Sequence, residues 1–189
     1  RLGRAVVLEM RTTATLAPAW TRVFPGGAPR IVPESTGRAL LYLWPVVPND
    51  VRADLKGRPD LLQRLDLVQD GRGYLLDVRD VATGRALGHA IIEAPPATFL
   101  TAVLAGDRVF VSSTDNRVRT YSITALHPVT HTFGRVVAAS ESGERLAVEN
   151  GEGRLLILDA PSMQVRQELA FRRGVALARF SPAGEALLV

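Results

Sequence analysis

The chain has no cysteine among its 189 residues and a single lysine, Lys56. Without cysteine there is neither a disulfide framework nor thiolate chemistry, and cysteine usage leaves the redox compartment open. No run approaches the roughly 18 consecutive apolar residues of a membrane helix. The opening "RLGRAVVLEM" also lacks the apolar centre of a secretory signal. The scarcity of lysine bears on the net charge of +4, because the basic residues are arginines scattered along the chain, most of them beside Asp or Glu as in "DVRDVATGR". That is a composition habit and not a phosphate-binding stripe, so neither nucleic acid nor membrane is expected as a partner. The cytoplasm is the favoured compartment. No initiator methionine is present, and the chain is expected to begin inside a longer or processed protein.

Catalytic patterns are missing too. There is no Gly-x-Ser-x-Gly elbow and no phosphate-cradling Gly-x-x-x-x-Gly-Lys loop. The histidines are His89, His127 and His131. The last two stand four residues apart, which on a strand separates their rings by about 13 Å, too far for one metal ion. Asp66, Asp70, Asp77 and Asp80 cluster in sequence, but Asp70 and Asp80 fit turns and Asp77 alternates with apolar neighbours, so solvated or turn roles are expected for them. No catalytic residue, metal ligand or cofactor is assigned.

What is there is a repeat. "AGDRVFV", "SGERLAV" and "AGEALLV" each place a glycine and a charged residue before an apolar strand, with Gly106, Gly143 and Gly184 spaced 37 and 41 residues apart. A fourth copy surrounds Gly37. Between these glycines, "DNRVRTYSITALHPVTHTF", "EGRLLILDAPSMQVRQELAF" and "RGYLLDVRDVATGRALGHAII" read as strand, turn, strand with period-two alternation. Shifted by 68 residues, "RAVVLEMRTTATLAPAW" matches the last of these, Thr15 falling on Thr83. A strand-only repeat of about 40 residues predicts an all-β fold, β-propeller blades of four antiparallel strands a to d, about four blades' worth, with a short helical insertion. The expected organisation is a c/d half blade over 1–23, a blade over 28–93 with its insertion at 45–72, blades over 97–133 and 134–171, and an a/b half blade over 174–189.

"VALARFSPAGEALLV" resembles the a and b strands of WD-repeat proteins, whose pattern runs Phe-Ser-Pro-Asp-Gly before an apolar strand; Ala183 replaces the Asp. "VSSTDNRVRTYS" is similar to that family's b–c turn and c strand, with Asp115 at the turn aspartate, Tyr121 for the usual Trp and Ser122 for the usual Asp. Glu152, Leu158 and Asp159 take these places in the next unit. "DVATGRALG" is similar to the Asp-x-x-Thr-Gly-Lys turn of bacterial quinoprotein-type propellers, with Gly88 where their blade-docking Trp stands. The resemblance implies a non-catalytic protein-interaction scaffold or sensor module of a larger protein. An alternative stays open, the non-catalytic part of a quinoprotein-like propeller enzyme whose active residues lie outside this segment.

The departure from the repeat is the stretch between "RALLYLW" and "GYLLDVR". Two short helical pieces are predicted there, starting near Asn49 or Asp50 and near Pro59 or Asp60, the second with an apolar side. By resemblance this b–c insertion decorates a binding face, which makes Asp54, Arg58, Leu61, Leu62, Arg64 and Leu65 the candidate contacts for a protein partner. Packing of those leucines onto their own blade is the competing reading. Asp115, Glu152, Gly106, Gly143 and Gly184 are assigned to structural turns, the two acids accepting hydrogen bonds within them. Finally, the chain starts with strands c and d and stops after a and b. It is expected to be a segment of a larger propeller, its last strand continued by further residues or another chain, with a closed four-bladed ring as the alternative.

Overall fold

The computed structural model describes residues 6–24, 28–94, 100–123, 128–171, 175 and 177–189. They form antiparallel sheets in two compact units, each described by itself. The first unit opens with a hairpin of β1 (Val6–Arg11) and β2 (Pro18–Phe24). A four-stranded sheet follows, in the order β3 (Arg30–Pro33), β4 (Ala39–Trp44), β5 (Gly73–Asp80), β6 (Ala86–Glu93). All six residues of β4 are buried. "ALLYLW" is a continuous apolar run because both faces of its strand are covered, and here alternation does not point to solvent. Register sets the contents of one face: Tyr42 lies opposite Asp77 and Asp77 opposite His89, while Trp44 lies opposite Leu75 and Leu75 opposite Ile91.

Between β4 and β5 the insertion winds into α1 (Asn49–Asp54), a 3-10 turn at Leu55–Gly57, α2 (Pro59–Leu62) and α3 (Leu65–Gln69). Pro59 sits in the first turn of α2, where its fixed φ suits the helix and its missing N–H goes unneeded. Each helix is too short to be stable by itself and depends on what it buries. Val51, Leu55, Leu61, Leu65 and Val68 pack into one cluster with Tyr42, Trp44, Leu75 and Ile91 of the sheet and Phe24 of β2. Each such fully buried side chain contributes about 1.5–3 kcal/mol. Among the described residues no helix is long and apolar enough to cross a membrane.

The second unit repeats the pattern with shorter turns. One sheet runs β7 (Thr101–Ala105), β8 (Arg108–Ser112), β9 (Arg117–Ser122), β10 (Pro128–Phe133), and the next runs β11 (Arg135–Ala139), β12 (Arg145–Glu149), β13 (Arg154–Asp159), β14 (Gln164–Ala170). A short pair, β15 (Arg179–Phe180) and β16 (Leu187–Leu188), follows. The middle sheet is covered on both faces. Leu146, Val148 and Leu158 meet Phe110 and Val118 of the preceding sheet, whereas Ala147, Leu155 and Ile157 meet Val175, Ala178 and Phe180. Alternate residues of single strands therefore serve two cores, which is how a blade buries its faces only against its neighbours.

Turn chemistry ties neighbouring sheets together. Arg145 donates to the Gly184 carbonyl at 2.8 Å, and the buried Ser112 hydroxyl accepts the Val136 N–H at 3.2 Å. Arg135 pairs with Glu149 while donating to the Val175 carbonyl at 2.8 Å, and Glu149 accepts the Val175 N–H at 3.0 Å.

Candidate functional site

The charged face of the β3–β6 sheet is where the sequence reading needs its main correction. Asp77 is neither solvated nor in a turn; it is fully buried. Its Oδ2 accepts Arg79 Nε at 2.9 Å and the Trp44 indole N–H at 3.3 Å, and Arg22 Nη1 stands 3.9 Å away. His89, also buried, brings Nε2 to 3.3 Å from Asp77 Oδ1. Burial alone pushes the Asp77 carboxyl up, but His89 and Arg79 outweigh it and hold the group below the usual carboxylate range. Burial likewise opposes the charge of Arg79, yet Asp77 and Asp54 raise its pKa further. Alternation with apolar neighbours suggested an exposed Asp77; the packing of β1, β2 and the insertion over that face removes the solvent.

Two further residues of this site escaped sequence reasoning. The Arg22 guanidinium lies over the rings of Phe24, Tyr42 and Trp44 at 5.7, 5.4 and 5.7 Å, a cation–π seat that shares the charge of Asp77. Trp20 donates its indole N–H to the Val81 carbonyl at 2.6 Å and covers Gly84 in the β5–β6 turn, where an added Cβ would stand 3.3 Å from the indole. The signal was available: Trp20 follows Thr12 by eight residues, as Gly88 follows Asp80. A tryptophan thus stands, one unit earlier, at the position that Gly88 holds in its own unit.

Of the six residues assigned to partner contact, Leu61 and Leu65 are buried in the core and present nothing to a partner. The expectation is corrected for both, because short helices must spend their apolar side on the sheet beneath. Leu62 remains exposed at 36%. Arg58 forms a forked pair with Asp60 at 3.0 and 2.8 Å, and Arg64 reaches Glu93 at 3.2 Å. Asp54, at the end of α1, accepts Arg79 Nη2 at 2.5 Å. Asp70 pairs with Arg72, and Asp80 accepts the Thr83 N–H and hydroxyl at 2.7 Å, both as turn residues. His131 is exposed, and His127 lies outside the described residues.

Gly106, Gly143 and Gly184 all occupy β-hairpin turns with left-handed φ. Asp115 behaves as expected, accepting the Ser113 hydroxyl and the Arg117 N–H at 3.2 Å and pairing with Arg119 at 3.0 Å. Glu152 does not. In its turn the acceptor is Asn150, whose side-chain oxygen takes the Glu152 and Arg154 N–H groups at 2.9 and 3.0 Å. The Glu152 side chain is 72% exposed and faces Arg154. A short Asx side chain closes the turn locally, which the longer glutamate two positions on does not do here. Asp115→Ala and Asn150→Ala should each lower stability by about 1 kcal/mol in urea melts, while Glu152→Ala should stay within about 0.5. A glutamate variant as costly as the other two would reverse this assignment.

No protein-family model and no curated protein sequence matches the chain. Solved structures do. BamB from Moraxella catarrhalis superposes with a TM-score of 0.52 at 14% identity, over 89% of this chain and 42% of that one. The Cps50 (Swd1) beta-propeller domain of Myceliophteria thermophila superposes with a TM-score of 0.56 at 15% identity, over 96% and 54%. The chain therefore spans about half the length of each. At these identities the likeness concerns the fold, and the chain has a β-propeller-like fold of four-stranded antiparallel blades with a short helical insertion.

Proposed function

We propose that this chain is a non-catalytic protein-interaction module of a larger protein and that the outer side of the β4–β5 insertion meets the partner. One observation carries the reading: the insertion rests on a fully buried floor of Val51, Leu55 and Val68, while Val46, Leu62, Arg58 and Arg64 stay at the surface. A rigid floor lowers the ordering cost of binding, and arginines beside exposed apolar groups suit a protein surface. The neighbours Swd1 and BamB support only the propeller setting. Affinity purification of the full-length protein from its own cells, followed by hydrogen exchange with the recovered partner, tests the proposal. Exchange should slow across residues 46–71, and the combination Leu62→Asp with Arg64→Glu should weaken capture at least tenfold at unchanged melting temperature. Protection confined to β6, β10 and β14 would overturn it.

The seat of Trp20 on the β5–β6 turn favours a second reading, the non-catalytic part of a quinoprotein-like propeller enzyme. Dye-linked dehydrogenase activity of the full-length protein, indifferent to the Leu62 and Arg64 substitutions, would select that alternative.

A further inference from the structure

Within the first unit a cleft of about 310 Å³ opens beside the buried charge network, lined by Trp20, Thr21, Arg22, Tyr42, Asp54 and Arg79 among others. Two guanidiniums and a carboxylate form its buried wall. Arg22 and Arg79 have side chains only 14% and 9% exposed, and the fully buried Asp77 lies 3.9 and 2.9 Å from them. At the rim a second acid, Asp54, arrives from α1 with its side chain 42% exposed and contacts Arg79 Nη2 alone of that guanidinium's donors. Nε and Nη1 are already engaged, Nε by Asp77 and Nη1 by the Gly84 carbonyl at 3.2 Å. Asp54 is therefore the one member of the network that water can take over at little cost, whereas an uncompensated guanidinium at this depth is expensive. The Tyr42 hydroxyl, buried in the same wall, has no hydrogen-bond partner among the described residues.

We propose that this cleft is a carboxylate-binding site, in which Asp54 is the resident occupant of the Arg79 Nη2 position and an incoming carboxylate displaces it. Arg79 Nη2, in a partly desolvated wall, donates a charge-assisted hydrogen bond to the oxyanion, and Arg22, its guanidinium 5.4–5.7 Å from three ring centroids, supplies the longer-range attraction. The carboxylate belongs either to a small free acid or to an acidic side chain of another protein. The site is independent of the outer side of the insertion proposed above, and its occupancy is read on the isolated protein, so failure of one leaves the other testable.

Both tryptophans of the chain report on this site, Trp20 from the cleft and Trp44 through Asp77. Intrinsic fluorescence is titrated at constant ionic strength in the wild type, Asp54→Asn and Asp54→Ala. The probes are succinate, its uncharged analogue succinamide, and end-blocked Gly-Glu-Gly and Gly-Gln-Gly peptides. Both variants should respond to succinate or to the glutamate peptide at about tenfold lower concentration than the wild type. Neither uncharged probe should act. Response to succinate alone marks a free acid, response to the peptide alone marks a protein side chain, and response to both marks a site that reads the carboxylate itself; each supports the proposal. Absence of response to either acid, equal curves for acid and amide, or variants no more sensitive than the wild type would overturn it. The wild-type titration at high concentration keeps the test decisive should a variant fold poorly.

Discussion

Replacing Asp77 by alanine should lower the unfolding free energy by about 3–5 kcal/mol at pH 7, because it leaves Arg79 and Arg22 without their shared counter-ion in a covered face. For a chain of this length that is a fall in melting temperature of about 10 °C. The loss should depend on pH with a definite sign. The folded carboxyl titrates below its unfolded value of about 3.9, so its contribution is complete above that value and disappears as pH falls through the folded one. The gap between wild type and Asp77→Ala in urea melts should therefore still be present at about pH 5 and close as the pH drops below about 4. A gap of the same size at pH 3 would show that Asp77 acts through packing and not through its charge.

Gly106→Ala and Gly143→Ala should each cost about 3–4 kcal/mol, combining left-handed strain with forced overlap. Gly106 has φ +57° and a Cβ there would stand 2.2 Å from the Ser142 carbonyl oxygen; Gly143 has φ +75° and its Cβ would stand 2.6 Å from that of Ala105. The obstruction is reciprocal backbone, the hairpin turn of one sheet lying against that of the next, so no side chain can swing aside. Gly153→Ala is the control, having φ +75° but nothing within 4 Å of the added atom. It should cost only about 1–2 kcal/mol. Equal losses at Gly143 and Gly153 in chemical denaturation would mean that the turns do not press on each other.

The sequence by itself determined what is encoded over a few residues. Glycine followed by a charge and an apolar strand marked the hairpins β3–β4, β7–β8, β11–β12 and β15–β16, period-two alternation marked the paired strands, and Asn49 and Pro59 marked two of the helix starts. These features were legible because left-handed turns, pleat and helix entry are local physics. The turn acid Asp115 was legible for the same reason, its partners lying within four residues. Glu152 was misread because Asn150, two positions earlier, competes for the same N–H groups and reaches them with a shorter side chain.

Tertiary structure alone decided which faces are covered and therefore which charges are buried. Trp20 finds Val81 across 61 residues, Trp44 finds Asp77 across 33, and Arg79 finds Asp54 across 25. No local pattern in "GYLLDVRD" distinguishes an aspartate facing water from one facing two guanidiniums. The same holds for the insertion, where Leu61, Leu62 and Leu65 are alike in the sequence. The sheet beneath takes Leu61 and Leu65 and leaves Leu62 outside. Burial is a property of what lies opposite a residue, and here what lies opposite arrives from strands and helices far away along the chain.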